Sequence, residues 1–359
     1  MITMCDPKFT QEMKDAAISA LENEFYVMGE SVHKFEEAFA KYCGAKHAIA
    51  VSSGTAALQL CLEAFDVRGK KVLTTPNSFI ATSNSVIHAG GTPIFSDIES
   101  QTGNLDASLL QKQKVDEAVK GIIPVHLYGQ PVDMYEMMEF AKSKGLFLLE
   151  DACQAHGALY DGKKVGTIGD AGCFSFYTTK NMNVCGDGGM VVTNNDEIAN
   201  KVKMLHDCGR ISKYEHTMVG YTYRLNTVNA AIGIVQLKHL DEWTEKRRKL
   251  AAIYRKMLPV ENCLVDKPDR ANVYHLFVLK AKNRDEIAMH LKKNEIVTGI
   301  NYPIPLHLQP VYRQMYGYKE GAFPVAELFA KQILSLPLHQ NLTEDQVKFV
   351  AEKVLEVLK

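Results

Sequence analysis

The chain predicts an α/β fold. A large three-layer α/β/α unit on a mainly parallel sheet is expected over residues 1–245, and a small α+β unit over residues 246–359. Three observations carry this expectation. Between about residues 45 and 192, short apolar runs alternate with helical stretches, the pattern of a parallel sheet covered by helices. Residues 237–257 are rich in charge and read as one long helix leading out of that unit, with Pro259 and Pro268 breaking the chain after it. Past the break, strands and helices resume without a repeat. At 359 residues, 46% hydrophobic and 23% charged, the chain has the length of two ordinary domains and can bury a sizeable core.

In chain order, His47–Val51 reads as a strand and 55–65 as the helix after it. Residues 71–75 form a second strand and 80–88 a second helix. Further strands are expected at 121–126 and 146–150, separated by a helix over 135–144. Residues 173–177 and 190–193 read as a late hairpin or paired strands. In the second unit, 274–281 is a strand, and Asn283 caps a helix to 293 with Glu286 placed to close a capping box. Residues 298–302 are another strand. The last helix starts at Thr343 with Gln346 three residues on, and Val347, Val350, Val354 and Leu358 share one face. The N-terminal segment is a candidate to pack with the small unit, and no element is assigned before residue 47.

Composition excludes several classes. Forty-one Lys plus Arg against forty-two Asp plus Glu leave a net charge of -1, without the basic excess of a nucleic-acid binder. Apolar runs such as 146–149 fall far short of the ~20 residues of a membrane span, and the N-terminus lacks the pattern of a signal peptide. Eight cysteines stand singly with no Cys-x-x-Cys, so neither a zinc site nor a disulfide framework is expected. These features predict a cytoplasmic protein with no metal, no membrane and no nucleic-acid partner.

Three segments carry candidate chemistry. Ser52-Ser53-Gly54-Thr55 lies between a strand and a helix, where unpaired N–H groups can cradle a phosphate, although on its own Ser-Gly-Thr there reads first as a helix cap. Glu150-Asp151 ends a strand, the place where open α/β sheets bind ligands, and Gln154 and His156 follow within a turn or so. Phe174-Ser175-Phe176-Tyr177-Thr178-Thr179-Lys180 ends in a lysine, which partial desolvation would make nucleophilic; alone, it reads first as a surface lysine before a Gly-rich turn. A phosphate cradle, a carboxylate to pair with a pyridine nitrogen, and a lysine are together the parts of a pyridoxal phosphate site.

Ordered motifs then extend over nearly the whole chain. They include Lys34-Phe35-Glu36-Glu37, Val51 to Leu58, Pro124-Val125-His126-Leu127-Tyr128-Gly129, Glu150-Asp151-Ala152 and the Lys180 segment. Gly220-Tyr221-Thr222-Tyr223-Arg224-Leu225, Ala230-Ala231-Ile232-Gly233 and Tyr302-Pro303-Ile304-Pro305-Leu306-His307 complete the set. In these the sequence resembles the DegT/DnrJ/EryC1/StrS family of sugar aminotransferases, fold-type-I pyridoxal phosphate enzymes like aspartate aminotransferase.

The resemblance implies a role for each residue. Lys180 would be the Schiff-base lysine and proton shuttle, and Asp151 the partner of the pyridine nitrogen. Gln154 would bond the phenolic oxygen, Phe79 would stack on the ring, and Ser53, Gly54, Thr55 and Ser175 would hold the phosphate. Thr222, where the family often has Asn, would reach the cofactor phosphate of the other subunit in a homodimer with shared sites. No catalytic role is carried to His156. Two further departures, Asn301 for a common His and Asn183 for a common Gly, bear on substrate recognition. The implied reaction moves an amino group from an amino acid, L-glutamate being the expected donor, to a nucleotide-diphospho keto-sugar in polysaccharide biosynthesis. It would run by ping-pong half-reactions through a pyridoxamine phosphate form. Alternatives are transamination of a small amino or keto acid and a non-catalytic, cofactor-binding regulatory protein. A sugar 3-dehydratase would carry His in place of Lys180.

Overall fold

The computed structural model describes residues 1–111 and 115–359. The strands are β1 (His47–Val51), β2 (Lys71–Thr74), β3 (Thr92–Phe95), β4 (Val119–Ile122), β5 (Phe147–Asp151), β6 (Leu159–Tyr160), β7 (Lys163–Lys164), β8 (Ala171–Ser175), β9 (Gly189–Thr193), β10 (Arg270–Ala271), β11 (Phe277–Lys280) and β12 (Ile333–Leu336). The helices are α1 (Gln11–Asn23), α2 (Glu30–Cys43), α3 (Gly54–Ala64), α4 (Ala81–His88), α5 (Ala107–Leu110), α6 (Met134–Lys144), α7 (Asp196–Leu205), α8 (Thr227–Met257), α9 (Arg284–Lys293), α10 (Pro310–Tyr316), α11 (Pro324–Gln332) and α12 (Glu344–Leu355).

Seven strands form one sheet in the order β1-β9-β8-β5-β4-β2-β3. Pairing is parallel from β8 through β3, while β9 runs antiparallel to both β8 and β1. The expected mainly parallel sheet and the expected pairing of the two late strands are both present. Alternation along each strand then divides the core. Ile49, Val51, Leu149, Cys173 and Val191 pack with α3 and α7 on one face. Ala48, Ala50, Phe174, Met190 and Val192 pack with α2 and the first half of α8 on the other. Leu148 on that second face meets Met137 and Phe140 of α6. The result is a three-layer arrangement.

A separate core gathers Leu250, Ala251 and Tyr254 of α8 with β11, β12, α9 and α12. Residues 245 and 246 lie inside α8, which starts at Thr227, ten residues before the expected helix, because Asn226 accepts a hydrogen bond from the Asn229 N–H at 2.9 Å. Ile2 pairs with Ile296 and packs against this second core, and two long helices, α1 and α2, precede β1 where none was assigned.

Two expectations in this part are corrected. Residues 298–302 are not a strand: Gly299 makes a single bridge to Ser335 and the segment then turns toward the site. Asn283 does not cap α9 through its side chain. Its Nδ2 donates instead to Val357 O at 2.6 Å and to Glu286 Oε2 at 3.1 Å, tying the helix start to the C-terminal tail. At Thr343 the capping box is complete, with Gln346 N–H donating to Thr343 Oγ1 and Thr343 N–H to Gln346 Oε1. Among the described residues, no helix is long and apolar enough to cross a membrane.

Candidate active site

The carboxyl ends of β1, β2, β5 and β8 open into one cavity of about 510 Å³, within the range of small-molecule sites. Ser53, Gly54, Thr55, Phe79, Asp151, Gln154, Ser175 and Lys180 all line it. Of the residues expected to bind the cofactor, Thr222 stands outside. It is exposed on the run leading into α8, with Asp207 as its bridge partner and Cys208 Sγ 3.5 Å from its hydroxyl.

Ser53 caps α3, its Oγ accepting from the Ala56 N–H at 3.1 Å, so the cap reading of this segment holds. The same geometry leaves the N–H groups of Gly54 and Thr55, at the first helical positions, without intrahelical partners at the positive end of the helix. Glycine is required here by close packing. A Cβ on Gly54 would lie 2.7 Å from Ser175 Cβ and 2.9 Å from Cys153 Sγ, and one on Gly189 would lie 2.4 Å from Ser53 O. Ser175, the last residue of β8, is thereby brought beside the helix start.

Asp151, the last residue of β5, is buried. Its neighbour Glu150 points to the opposite face and accepts from His126 Nε2 at 2.9 Å and from the N–H groups of Gly166, Ile168 and Gly169. That network fixes the end of β5. Gln154 is oriented at both ends of its amide: Oε1 accepts from the Tyr128 N–H at 2.9 Å, and Nε2 donates to Tyr302 Oη at 3.2 Å. Phe79 and Tyr302 form an aromatic wall with ring centroids 5.9 Å apart.

Lys180 lies in the turn after β8, its N–H bonded to Tyr177 O. Burial lowers the pKa of its ammonium, while the nearby Cys153 and Asp151 groups oppose that shift. The next residue, Asn181, anchors the turn by donating to Val273 O at 3.0 Å and by lying 3.3 Å from His275 Nδ1. His275 lines the cavity, and burial, then the Lys180 charge, holds its pKa well below the ordinary value.

Sequence reasoning missed Ser78, Thr82 and His275, which line the cavity, and assigned no site role to Tyr302, for which the quoted Tyr302-Pro303 motif was the available signal; Asn301, singled out for substrate recognition, lines the cavity as well. Asn301 O accepts from Tyr128 Oη, and Asn301 Oδ1 accepts from Ser335 Oγ at 3.0 Å. His156 is buried outside the cavity lining, between Phe174 and Phe176. A nucleophilic amine, a buried carboxylate, an oriented amide and an anion cradle therefore converge on one cavity, a set suited to covalent chemistry with proton transfer.

The family model for DegT/DnrJ/EryC1/StrS aminotransferases matches residues 7–355. The pleiotropic regulatory protein of Geobacillus stearothermophilus is 44% identical over 337 residues, which cover 92% of this chain and 90% of that one. The dTDP-3-amino-3,4,6-trideoxy-alpha-D-glucose transaminase of Streptomyces venezuelae is 39% identical over 347 residues, 95% of this chain and 91% of that one. Among solved structures, DesV of S. venezuelae in complex with a ketimine intermediate superposes with a TM-score of 0.93 at 38% identity, covering 96% of this chain and 94% of that one. A Streptococcus pneumoniae protein solved in PLP form is alike in fold, with a TM-score of 0.92 at 23% identity and 98% of each chain covered.

Proposed function

The chain belongs to the DegT/DnrJ/EryC1/StrS aminotransferase family, and we propose that it moves an amino group from an amino acid, with L-glutamate the expected donor, to a nucleotide-linked keto-sugar. The observation that carries this reading is the convergence of Lys180, Asp151 and Gln154 on one cavity at the sheet's carboxyl edge.

The residues present fit pyridoxal phosphate. The close packing that forbids a Cβ at Gly54 sets Ser175 against the start of α3, where backbone N–H groups lack intrahelical partners, as a phosphate site requires. Bound there, the cofactor supplies an electron sink for the carbanion left when a Cα proton departs. Lys180 Nζ would hold the cofactor by condensing with its carbonyl, with loss of water, and its amine, once displaced by the donor amino acid, would act as the base and then the acid that moves the Cα proton. Asp151 would hold the proton on the ring nitrogen. Gln154, with its Oε1 engaged by Tyr128 and its Nε2 donating to Tyr302 Oη, would offer that Nε2 to the phenolic oxygen. Ser53, Gly54, Thr55 and Ser175 would hold the phosphate, and Phe79 would stack on the ring.

In this reading the functional unit is a homodimer, with Thr222 of each subunit offered to the other's cofactor phosphate. The chain works as a cofactor-binding unit and a smaller C-terminal unit that share α8. The second reading, a cofactor-binding regulator without turnover, is favoured by the name of the 44%-identical relative. Lys180 in place of histidine disfavours a dehydratase.

The purified protein should be yellow, glutamate should bleach it, and borohydride should fix the cofactor on the peptide containing Lys180. The glutamate-treated form should then aminate members of a panel of nucleotide keto-sugars. Label on another lysine would remove the assignment, and a colour unmoved by glutamate would favour the regulator. Lys180→Ala should lose turnover by several orders of magnitude, since one side chain acts as both nucleophile and proton carrier.

A further inference from the structure

The Asp151 carboxylate is itself held by a chain of hydroxyls that no sequence motif announces. Its Oδ2 accepts from Thr82 Oγ1 at 2.8 Å, and its Oδ1 from the Cys153 N–H at 3.2 Å. Thr82 Oγ1 lies 2.7 Å from Ser78 Oγ. Ser78, Thr82 and Asp151 are all buried, and all three line the cavity.

The donor inventory fixes the direction of this chain. An ionised carboxylate only accepts, so the single Thr82 hydroxyl proton goes to Asp151. The Thr82 oxygen is then the acceptor in its pairing with Ser78, whose hydroxyl donates. A threonine inside a helix commonly spends its hydroxyl on the backbone carbonyl one turn back. Ser85 of α4 makes such a local bond, donating to Thr82 O at 2.8 Å, whereas the Thr82 hydroxyl donates to the carboxylate instead.

We propose that Ser78 and Thr82 form a one-way hydrogen-bond relay that sets the orientation of the Asp151 carboxylate toward the cofactor's ring nitrogen, making Thr82 a positioning residue of the site. The proposal rests on the cofactor reading above. Bonds to a charged acceptor are the strong class, and each donor in a chain polarises the next, so the relay acts through Asp151 without touching a ligand. Its placement also joins two functions. Phe79 stands between Ser78 and Thr82 in sequence, so the turn that enters α4 presents both the aromatic face and the support of the carboxylate.

The test is a titration of cofactor-free protein with pyridoxal phosphate, followed by visible absorbance, together with steady-state kinetics. Thr82→Val, which keeps the branched shape, should bind the cofactor about tenfold more weakly or worse. It should alter the pH dependence of the bound cofactor's spectrum and lower kcat with little change in KM for the donor. Thr82→Ser should recover most of the affinity and the wild-type spectrum. Wild-type affinity and spectrum in Thr82→Val, or equal damage in both variants, would overturn the relay. Should Thr82→Val fail to fold, Ser78→Ala carries the test, because it removes only the outer donor. An affinity several-fold below wild type supports the relay, and wild-type affinity overturns it. A wild-type chain that never colours with pyridoxal phosphate removes the cofactor reading itself, a result distinct from any difference among variants.

Discussion

His156 shows how one residue can be conspicuous in a motif and do something else in the fold. It follows Gln154 by two positions, yet its ring is buried 5.4 Å from Phe174 and 5.7 Å from Phe176 by centroid, and neither nitrogen makes a well-formed hydrogen bond. Burial first, and the Lys180 charge second, push its pKa down to about 3. An unfolded imidazole titrates near 6.5, so between these values the unfolded chain holds a proton that the folded chain refuses. The stability tied to this group is therefore complete above about pH 6.5 and is lost progressively as pH falls toward 3. One such proton corresponds to a slope of about 1.4 kcal/mol per pH unit. Urea unfolding of cofactor-free protein between pH 6 and 4 should show this loss, with His275, shifted the same way, adding to it. His156→Gln should flatten the slope by about one proton; an unchanged slope would show that the buried imidazole titrates freely. At this scale the meeting of Lys180, Asp151, Gln154 and Gly54 in one cavity was legible only from the segments taken together with the family resemblance, since each segment alone also reads as a cap or a surface lysine. Thr82 and His275 were not legible, since what they do depends on partners 69 and 94 positions away, Asp151 and Asn181.

Among the elements, the two capping-box signals separate cleanly. Asn283 with Glu286 and Thr343 with Gln346 share one spacing, but only the second closes reciprocally. Thr343→Ala should cost about 1 kcal/mol, read as a lowered urea midpoint with an unchanged slope. Glu286→Ala should leave the midpoint nearly where it was, since its carboxylate supports no cap. A larger loss from Glu286→Ala than from Thr343→Ala would reverse this account. Asn283 departs from its sequence reading because Val357 O, at the other end of the small unit, competes for its amide. Between residues 47 and 193, β1, β2, β4, β5, β8, β9, α3, α4 and α6 were legible because each is a short apolar or amphipathic run bounded by turn residues, whereas β3, α5, β6 and β7 went unassigned. The antiparallel pairing of β9 with β8 was within the hairpin reading, but its place beside β1, also antiparallel, was not read. Helices α1 and α2 went unassigned although α2 carries Val32, Phe35, Phe39 and Cys43 at helical spacing on its buried face. The expected strand at 298–302 failed because its apolar character serves the turn toward the cavity, where Asn301 and Tyr302 form part of the wall.

For the whole molecule, the proposed homodimer rests on where apolar side chains remain in solvent. Phe25 is 87% exposed, Tyr214 82% and Val219 90%. Phe25 belongs to a segment clipped onto the start of α8, where Val27 bridges Asn226 and the Thr227 hydroxyl donates to Phe25 O at 2.6 Å. Tyr214 and Val219 belong to the loop held at its base by the Asp207–Thr222 bridge. Both segments flank the run 220–226 that leads into α8, and Thr222 is exposed on that run. Full burial of one large apolar side chain stabilises by about 1.5–3 kcal/mol, so a cluster of them held by backbone clips can drive association. Because the backbone makes the clips, charging the side chains should spare the fold of each subunit. Phe25→Glu combined with Tyr214→Glu should shift the protein from dimer to monomer in sedimentation, leave the far-UV spectrum unchanged, and weaken pyridoxal phosphate binding in proportion to the monomer formed. Thr222→Ala should keep the dimer and weaken cofactor binding by about tenfold at most, the worth of one neutral hydrogen bond. A wild-type chain that sediments as a monomer with its cofactor fully bound would exclude shared sites. Abolition of binding by Thr222→Ala alone would make that hydroxyl a main phosphate anchor and demote the cradle of Ser53, Gly54, Thr55 and Ser175.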